Sequence, residues 1–281
     1  MFKRIIIVFA MLFSVVTAFA TVNTSENTVS SNENKADDKL SQNESSENIS
    51  IYDNKDYKIY SFQVAHSRGA ASNFESVDPD EEFKQTAKDY DSSVNVFVIE
   101  FKSDSKRLMI DCGFGSEKDK LQELLKKADI PAESISDLYI THLHIDHVGG
   151  IKDFPKAKVY IAKEEYEAWK TDPKRQNLSK FLLPQEEMRL FNFDEELPNG
   201  FKAIKFAGHT PGHTVYHIGN NYFIGDLLHA AELQYQHTSF SHIKYDMNRE
   251  EAAKSRKLAK ETLHGTWFGA HVPFPGTINN P

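Results

Sequence analysis

The chain has 281 residues, 40% of them apolar and 26% charged, enough for one large or two small globular domains. Its net charge of −8 argues against a nucleic-acid binder, which would show a basic face, and against general attraction to anionic membranes. A single cysteine, Cys112, excludes an intrachain disulfide and a thiolate-rich zinc finger; it reads as a small buried residue near a turn.

In chain order, "MFKRIIIVFAMLFSVVTAFA" opens with Lys3 and Arg4, continues with an apolar run from Ile5, and reaches the small-residue site Ala18-Phe19-Ala20. That is the pattern of a cleaved signal peptide over 1–20, and the run is shorter than a membrane span prefers. Export to a periplasmic or extracellular space follows as an expectation. So does a mature chain with no stable membrane span and, without Lys3 and Arg4, two fewer positive charges. Residues 21–50 are dominated by Ser, Asn and Glu, and such a stretch buries too little to offset its ordering entropy. It is read as a disordered polar linker, with one folded domain over 51–281.

Within that domain, 57–65 reads as a strand, and 93–101 with 106–113 as a hairpin running into a glycine-rich turn. Leu121, Leu124, Leu125 and Ala128 have helical spacing, with Ser116 as the expected N-cap. "ISDLYITHLH" (135–144) is a short apolar strand leading into histidines. Residues 157–162 form a strand, 163–170 start a helix, 201–209 form a strand, and 214–226 form a hairpin turning at Gly219-Asn220-Asn221. A helix over 247–263 is capped by Asn248 with Glu251 three residues on, and 266–271 is a last short strand. Strands alternate with helices after an opening run of strands, so the class is α/β with helices covering sheet faces.

Three of the chain's 12 histidines, with one aspartate, fall inside "HLHIDH": His142, His144, Asp146 and His147. Residues two apart on extended chain point the same way, and neutral imidazoles with a carboxylate suit a borderline divalent metal such as zinc. Alone, the cluster also fits an exposed histidine run or a His/Asp proton relay. "AGHTPGHT" adds His209 and His213, "YFIGD" adds Asp226, and "GAHVPFPG" adds His271, each where a strand stops and functional groups collect.

The whole pattern, H-x-H-x-D-H, then G-H-T-P-G-H, then G-D, then a late histidine, resembles the metallo-β-lactamase superfamily. "DCGFG" (111–115) matches a structural turn of that family. Within it, the segments "GDLLHAAELQ" and "GAHVPFPG" look most like exported methyl parathion hydrolase-like enzymes and quorum-quenching lactonases. The resemblance implies a four-layer αββα fold and two divalent metals, zinc by preference. One metal would take His142, His144 and His213, the other Asp146, His147 and His271, with Asp226 bridging. His144 and Asp146 favour the dinuclear hydrolase branch over the flavodiiron one. The implied activity is hydrolysis of a small ester-like substrate, a lactone or organophosphate, by a hydroxide between the metals, with Asp146 or Asp226 as proton donor to the leaving group. A β-lactamase, or a metal-binding protein without turnover, are the alternatives. The implied partner is the small-molecule substrate, with no nucleic acid; a homodimer is one assembly the resemblance allows.

His209 is read as a support beside the metal ligands, His229 equally as such a support or as a polar surface position, and His66, His217, His237, His242 and His264 as ordinary partly exposed histidines. Trp169, Phe181, Leu182 and Leu183 are read equally as a pocket wall or core. Relatives of this kind continue past "FPG" into a terminal strand, and the chain from "TINNP" is expected to lack it. For export, the expected outcome is a secreted chain beginning at or near Thr21 on N-terminal sequencing; a secreted chain beginning at Met1 would overturn the reading.

Overall fold

Strand Asp89–Phe101 carries an unbroken apolar run at Val96–Ile99, where both of its faces are covered. Val94, Val96 and Val98 pack on one side, while Phe97 and Ile99 pack on the other. That alternation sets up the layers of the fold. The computed structural model describes residues 40–81, 88–116, 118–172 and 188–281.

Eight strands form the first sheet: β1 (Ser41–Ser45), β2 (Ile49–Asp53), β3 (Tyr57–Ala70), β5 (Asp89–Phe101), β6 (Arg107–Ile110), β7 (Ile135–Tyr139), β8 (Lys158–Ala162) and β9 (Met188–Phe191), in that order. The short β4 (Phe74–Ser76) lies outside it and pairs with β13 (Phe240–His242). Pairing is antiparallel from β1 to β6 and parallel from β6 to β9. The second sheet has the order β10 (Lys202–Lys205), β11 (Thr214–Ile218), β12 (Asn221–Gly225), β14 (Gly265–Gly269) and β15 (Thr277–Asn280), with only β12 and β14 parallel.

The sheets meet through an aromatic layer. Phe97, Tyr139 and Tyr160 of the first face Tyr216, Phe223 and Phe268 of the second. Tyr139 stacks on Tyr160 and on Phe201 with centroids 4.6 and 5.0 Å apart, geometry worth roughly 0.5–1.5 kcal/mol per pair beyond burial. The outer face of the first sheet is covered by helix α1 (Leu121–Lys127), through Leu121, Leu124 and Leu125, and by Trp169 of α3 (Lys163–Thr171). Between them lies the single-turn α2 (Ile145–Val148). The outer face of the second sheet meets Ala231 of the short α4 (Ala231–Gln234) and Ala259 of α5 (Arg249–Thr262). The result is the αββα arrangement. No helix among the described residues is long and apolar enough to cross a membrane.

Three expectations are corrected. The folded region begins by Ser41 rather than Ile51, because β1 pairs antiparallel with β2. Polar composition hid an edge strand held by backbone hydrogen bonds. At the other end, Thr277–Asn280 forms the terminal strand that was expected to be missing, and Asn280 is buried with Nδ2 donating to the carbonyls of Lys260 and Leu263. Ser116 does not cap α1; it bonds Asp153, while the Asp119 carboxylate accepts the N–H groups of Phe114, Gly115 and Leu121. Asn248 does cap α5, accepting the Glu251 N–H at 3.1 Å. The expected signal peptide, residues 21–39 of the expected linker, and Phe181–Leu183 lie outside the described residues.

The β1–β2 ribbon carries Tyr52, which is buried edge-on against Phe268. A chain starting at residue 40 should match the full mature chain in urea denaturation. One starting at residue 54 should lose at least the ~1.5–3 kcal/mol of one buried large side chain. Equal midpoints for both truncations would move the boundary past Asp53.

Candidate metal centre

Each residue of the centre comes from the carboxyl end of a strand. The loop after β7 carries His142 and His144, and α2 carries Asp146 and His147. The loop between β10 and β11 brings His209, the turn after β12 brings Asp226, and the turn after β14 brings His271. The loops are tied below the surface by Glu165 of α3, which accepts N–H groups from Leu143, Gly212 and the Trp169 indole at 2.6–3.0 Å. Gly208 is required on steric grounds: its φ is +121°, and a Cβ there would lie 2.0 Å from the Ala252 nitrogen.

The orientation of each ring is set from behind. His147 Nδ1 donates to Asp111 Oδ2 at 2.8 Å, His271 Nδ1 to the Ser93 carbonyl at 2.7 Å, and His209 Nδ1 to Asp246 Oδ1 at 3.1 Å. His142 Nδ1 lies 3.0 Å from the Thr141 hydroxyl, whose own proton goes to Asp111 Oδ2. In all four rings the outer nitrogen carries a proton, so Nε2 faces inward and supplies the lone pair a metal ligand needs once any proton on it is displaced.

The inward atoms form two groups that share one carboxylate. His142 Nε2, His144 Nδ1 and His209 Nε2 lie 2.9–3.2 Å from one another. Asp226 Oδ2 is 3.6 Å from His142 Nε2 and 3.3 Å from His209 Nε2. In the other group, Asp146 Oδ2 is 3.6 Å from His147 Nε2 and 3.3 Å from His271 Nε2. Asp226 closes it, with Oδ1 3.0 Å from His147 Nε2 and Oδ2 3.1 Å from His271 Nε2. Zinc ligands at 2.0–2.1 Å in a tetrahedron lie roughly 3.3–3.4 Å from each other, so both sets have the right spread.

Two buried atoms sharpen the fit. His147 Nε2 and Asp226 Oδ1 face each other without hydrogen-bond alignment, and neither has another hydrogen-bond partner among the described residues. A cation between them would satisfy both. The electrostatics agree. Burial, with help from the His147 ring, holds His142 well below the ordinary imidazole range, and burial with His209 pushes His144 down to about 3. Burial also opposes protonation of His271, yet Asp226 and Asp146 outweigh it and raise the group to about 10. His147 is raised likewise by Asp226, Asp146 and Asp111 against its burial. Here protons neutralise the carboxylates, and a divalent cation would displace them.

One expected ligand is corrected. His213 does not join either group. Its Nδ1 donates to the Phe206 carbonyl at 3.1 Å and its Nε2 accepts the Asp226 N–H at 3.0 Å, so no lone pair is left for a metal. His209, expected to be only a support, takes that place. The other expected ligands, His142, His144, Asp146, His147, Asp226 and His271, are brought together as described. Both loop histidines follow glycine or a glycine turn, so nothing in their order says which ring turns inward. Asp111 entered the sequence reading only as the first residue of a structural turn, and Asp246 and Glu165 not at all; each is one acid among 41 until the fold places it under a histidine or a loop.

His144, Asp146, Asp226 and His271 line a cleft of about 440 Å³ together with Phe74, Val94, Phe114, Ile145 and Tyr245 and the polar Arg68, Asn73 and Ser92. His242, expected to be ordinary, stacks on Tyr245 in that lining, with ring centroids 4.4 Å apart. Trp169 is core, and also meets His144 edge-on at 5.3 Å. Cys112 is buried, and burial raises its thiol, as expected of a packing residue.

Residues 89–273 match the family described as the metallo-beta-lactamase superfamily. The chain belongs to that superfamily. Similar proteins carry lactonase and hydrolase names. An N-acyl homoserine lactonase of Bacillus sp is 30% identical over 98 residues, 35% of this chain and 38% of the lactonase. The chain thus spans little more than a third of the length of that relative. A hydroxyacylglutathione hydrolase of Blochmanniella pennsylvanica (strain BPEN) is 30% identical over 165 residues, covering 54% of this chain and 58% of the relative. Among solved structures, the hydrolase AbOPH of the beta lactamase superfamily superposes with a TM-score of 0.68 at 23% identity, over 84% of this chain and 94% of its own. AidC, described as a dizinc quorum-quenching lactonase, gives 0.68 at 22% identity, over 85% and 92%. At such identities the likeness establishes the fold.

The two loop histidines give a direct test. His209→Ala should lower bound zinc per chain measured by mass spectrometry of metal content, and Asp246→Asn should weaken zinc by about 10–100-fold. His213→Gln should keep the zinc stoichiometry of the parent chain. Loss of zinc in His213→Gln, with retention in His209→Ala, would restore the original assignment.

Proposed function

We propose that this protein is an exported hydrolase that holds two divalent cations, zinc by its donor set, and cleaves a small ester-like molecule, a lactone or a phosphotriester. The observation that carries the reading is the pair of donor groups sharing Asp226 in the wall of the cleft. Imidazole and carboxylate donors, with no thiolate, suit zinc among the borderline metals. A bound pair of cations supplies Lewis acidity and lowers the pKa of water towards neutrality.

The chain's own residues divide the remaining work. Asp226 is almost wholly buried, and both its oxygens face histidine nitrogens, so it holds the two groups at a fixed separation. Asp146 is the more open carboxylate and lines the cleft. Burial opposes its ionisation, but His147 and His271 keep it charged well below the ordinary carboxylate range. Its place in the cleft lining, rather than its basicity, is what puts it within reach of a proton passing between attacking water and the leaving oxygen. Phe74, Val94, Phe114 and Ile145 of the cleft lining would cover apolar parts of a substrate. The lactonase relatives support the choice of ester-like substrates, and the leader-like residues 1–20 support export.

The zinc-loaded mature chain is expected to turn over an acyl lactone or an aryl phosphotriester in preference to a cephalosporin. Asp226→Ala should lose zinc and several orders of magnitude in kcat/KM, because both groups lose their common ligand. Two zinc ions with near-parental turnover in Asp226→Ala would overturn the shared-carboxylate reading. Cephalosporin hydrolysis alone would move the substrate class to β-lactams.

A further inference from the structure

Neither donor group uses His229, yet its ring stands in the cleft wall three residues beyond Asp226. The loop that carries it is fixed from below. The His229 N–H donates to Gln234 Oε1 at 2.7 Å, and that buried amide also accepts from Ala230 N at 3.0 Å and donates to the Phe240 carbonyl at 2.9 Å. The imidazole itself is held flat against His271, with centroids 5.1 Å apart and planes 25° apart, and is flanked by His242 at 5.3 Å. A ring clamped in this way is preorganised rather than mobile.

Its contacts also set its tautomer. His229 Nε2 lies 3.2 Å from His209 Nδ1. That nitrogen of His209 carries a proton, because it donates to the Asp246 carboxylate. His229 Nε2 can then only accept, so the proton of the His229 ring sits on Nδ1. Nδ1 in turn lies 3.8 Å from Asp226 Oδ2, beyond hydrogen-bond range. The ring therefore presents an N–H beside the shared carboxylate, in the cleft, with Asp226 Oδ2, the nearest carboxylate oxygen recorded among the described residues, beyond hydrogen-bond range.

We propose that His229 is a substrate-contacting residue, whose Nδ1–H donates a hydrogen bond to the oxygen that leaves when the ester bond breaks. The proposal rests on the hydrolase reading above, and it gives that reading a preference: alkoxide-like leaving oxygens, as in lactones, gain most from the donor, because negative charge builds up most on them. No proton transfer from His229 is required. A hydrogen bond that strengthens as charge develops lowers the barrier without changing the substrate's ground state.

The test uses the zinc-loaded full mature chain and has three readouts. Nitrogen-15 NMR of labelled histidine should show His229 protonated at Nδ1; protonation at Nε2 would overturn the proposal whatever the activity. Zinc per chain should be unchanged in His229→Ala; loss of a zinc ion would make His229 a ligand instead and overturn it. Across aryl and alkyl esters of rising leaving-group pKa, His229→Ala should lose kcat progressively, reaching about 10²-fold for the poorest leaving group, with KM little changed. An equal loss for every ester would overturn the leaving-oxygen role, because a structural defect would act evenly. His229→Asn, which keeps an N–H donor, should recover part of the loss. If the parent chain turns over no ester at all, the hydrolase reading fails, and the substrate-contact proposal is overturned with it.

Discussion

A carboxylate with almost no solvent exposure governs this structure. Asp226 is about 2% exposed, and an isolated buried charge would cost many kcal/mol. It persists because His142, His147, His209 and His271 all turn a ring nitrogen towards it within 3.6 Å. Burial alone would raise its pKa, and the His147, His271 and His142 rings hold it well below the usual range instead. Remove the compensating positive charge, whether proton or metal, and the centre of the molecule holds an unpaired anion. The rest of the site can be understood as the means of keeping that charge matched.

The matching is done one layer further out. Asp111 fixes His147 and, through Thr141, His142, and it does so from a backbone with φ of 57°, a strained position for a residue with a Cβ. Asp246 fixes His209 and is itself buried against Arg256, a side chain 2% exposed whose charge is satisfied by that carboxylate and by Ser241 and Thr238. Such a pair adds little net stability, since desolvation offsets attraction, but breaking it would leave a lone buried charge. Its value here is positional: α5 is locked to the loop that presents His209, and Gly208 lets the two backbones touch.

The sandwich explains why the donors can converge at all. Strands β6, β7, β12 and β14 all end on the same edge, and the aromatic layer between the sheets keeps those ends at a fixed spacing. Rigid packing of this kind holds loops to the tolerance that metal ligation demands. The cleft is lined by imidazoles and carboxylates together with Phe74, Val94, Phe114 and Ile145, a mixture of a few convergent polar groups and apolar surface typical of small-molecule sites.

Much of this was legible from residue order. The apolar run within 93–101, the H-x-H-x-D-H cluster, the Asn248 cap and the alternation of strands with helices follow from local periodicity and residue chemistry, which act over a few positions. Six of the seven residues in the donor groups stood out because histidine and aspartate at strand ends are rare without a task. What the sequence could not decide was whatever depends on partners distant in the chain. His209 and His213 are chemically identical; only the Phe206 carbonyl and the Asp226 N–H, which consume both nitrogens of His213, exclude it. Asp111 and Asp246 gain their roles from rings 36 and 37 residues away. The edge strands Ser41–Ser45 and Thr277–Asn280 are stabilised by backbone pairing with β2 and β14, and backbone hydrogen bonds leave little trace in side-chain composition.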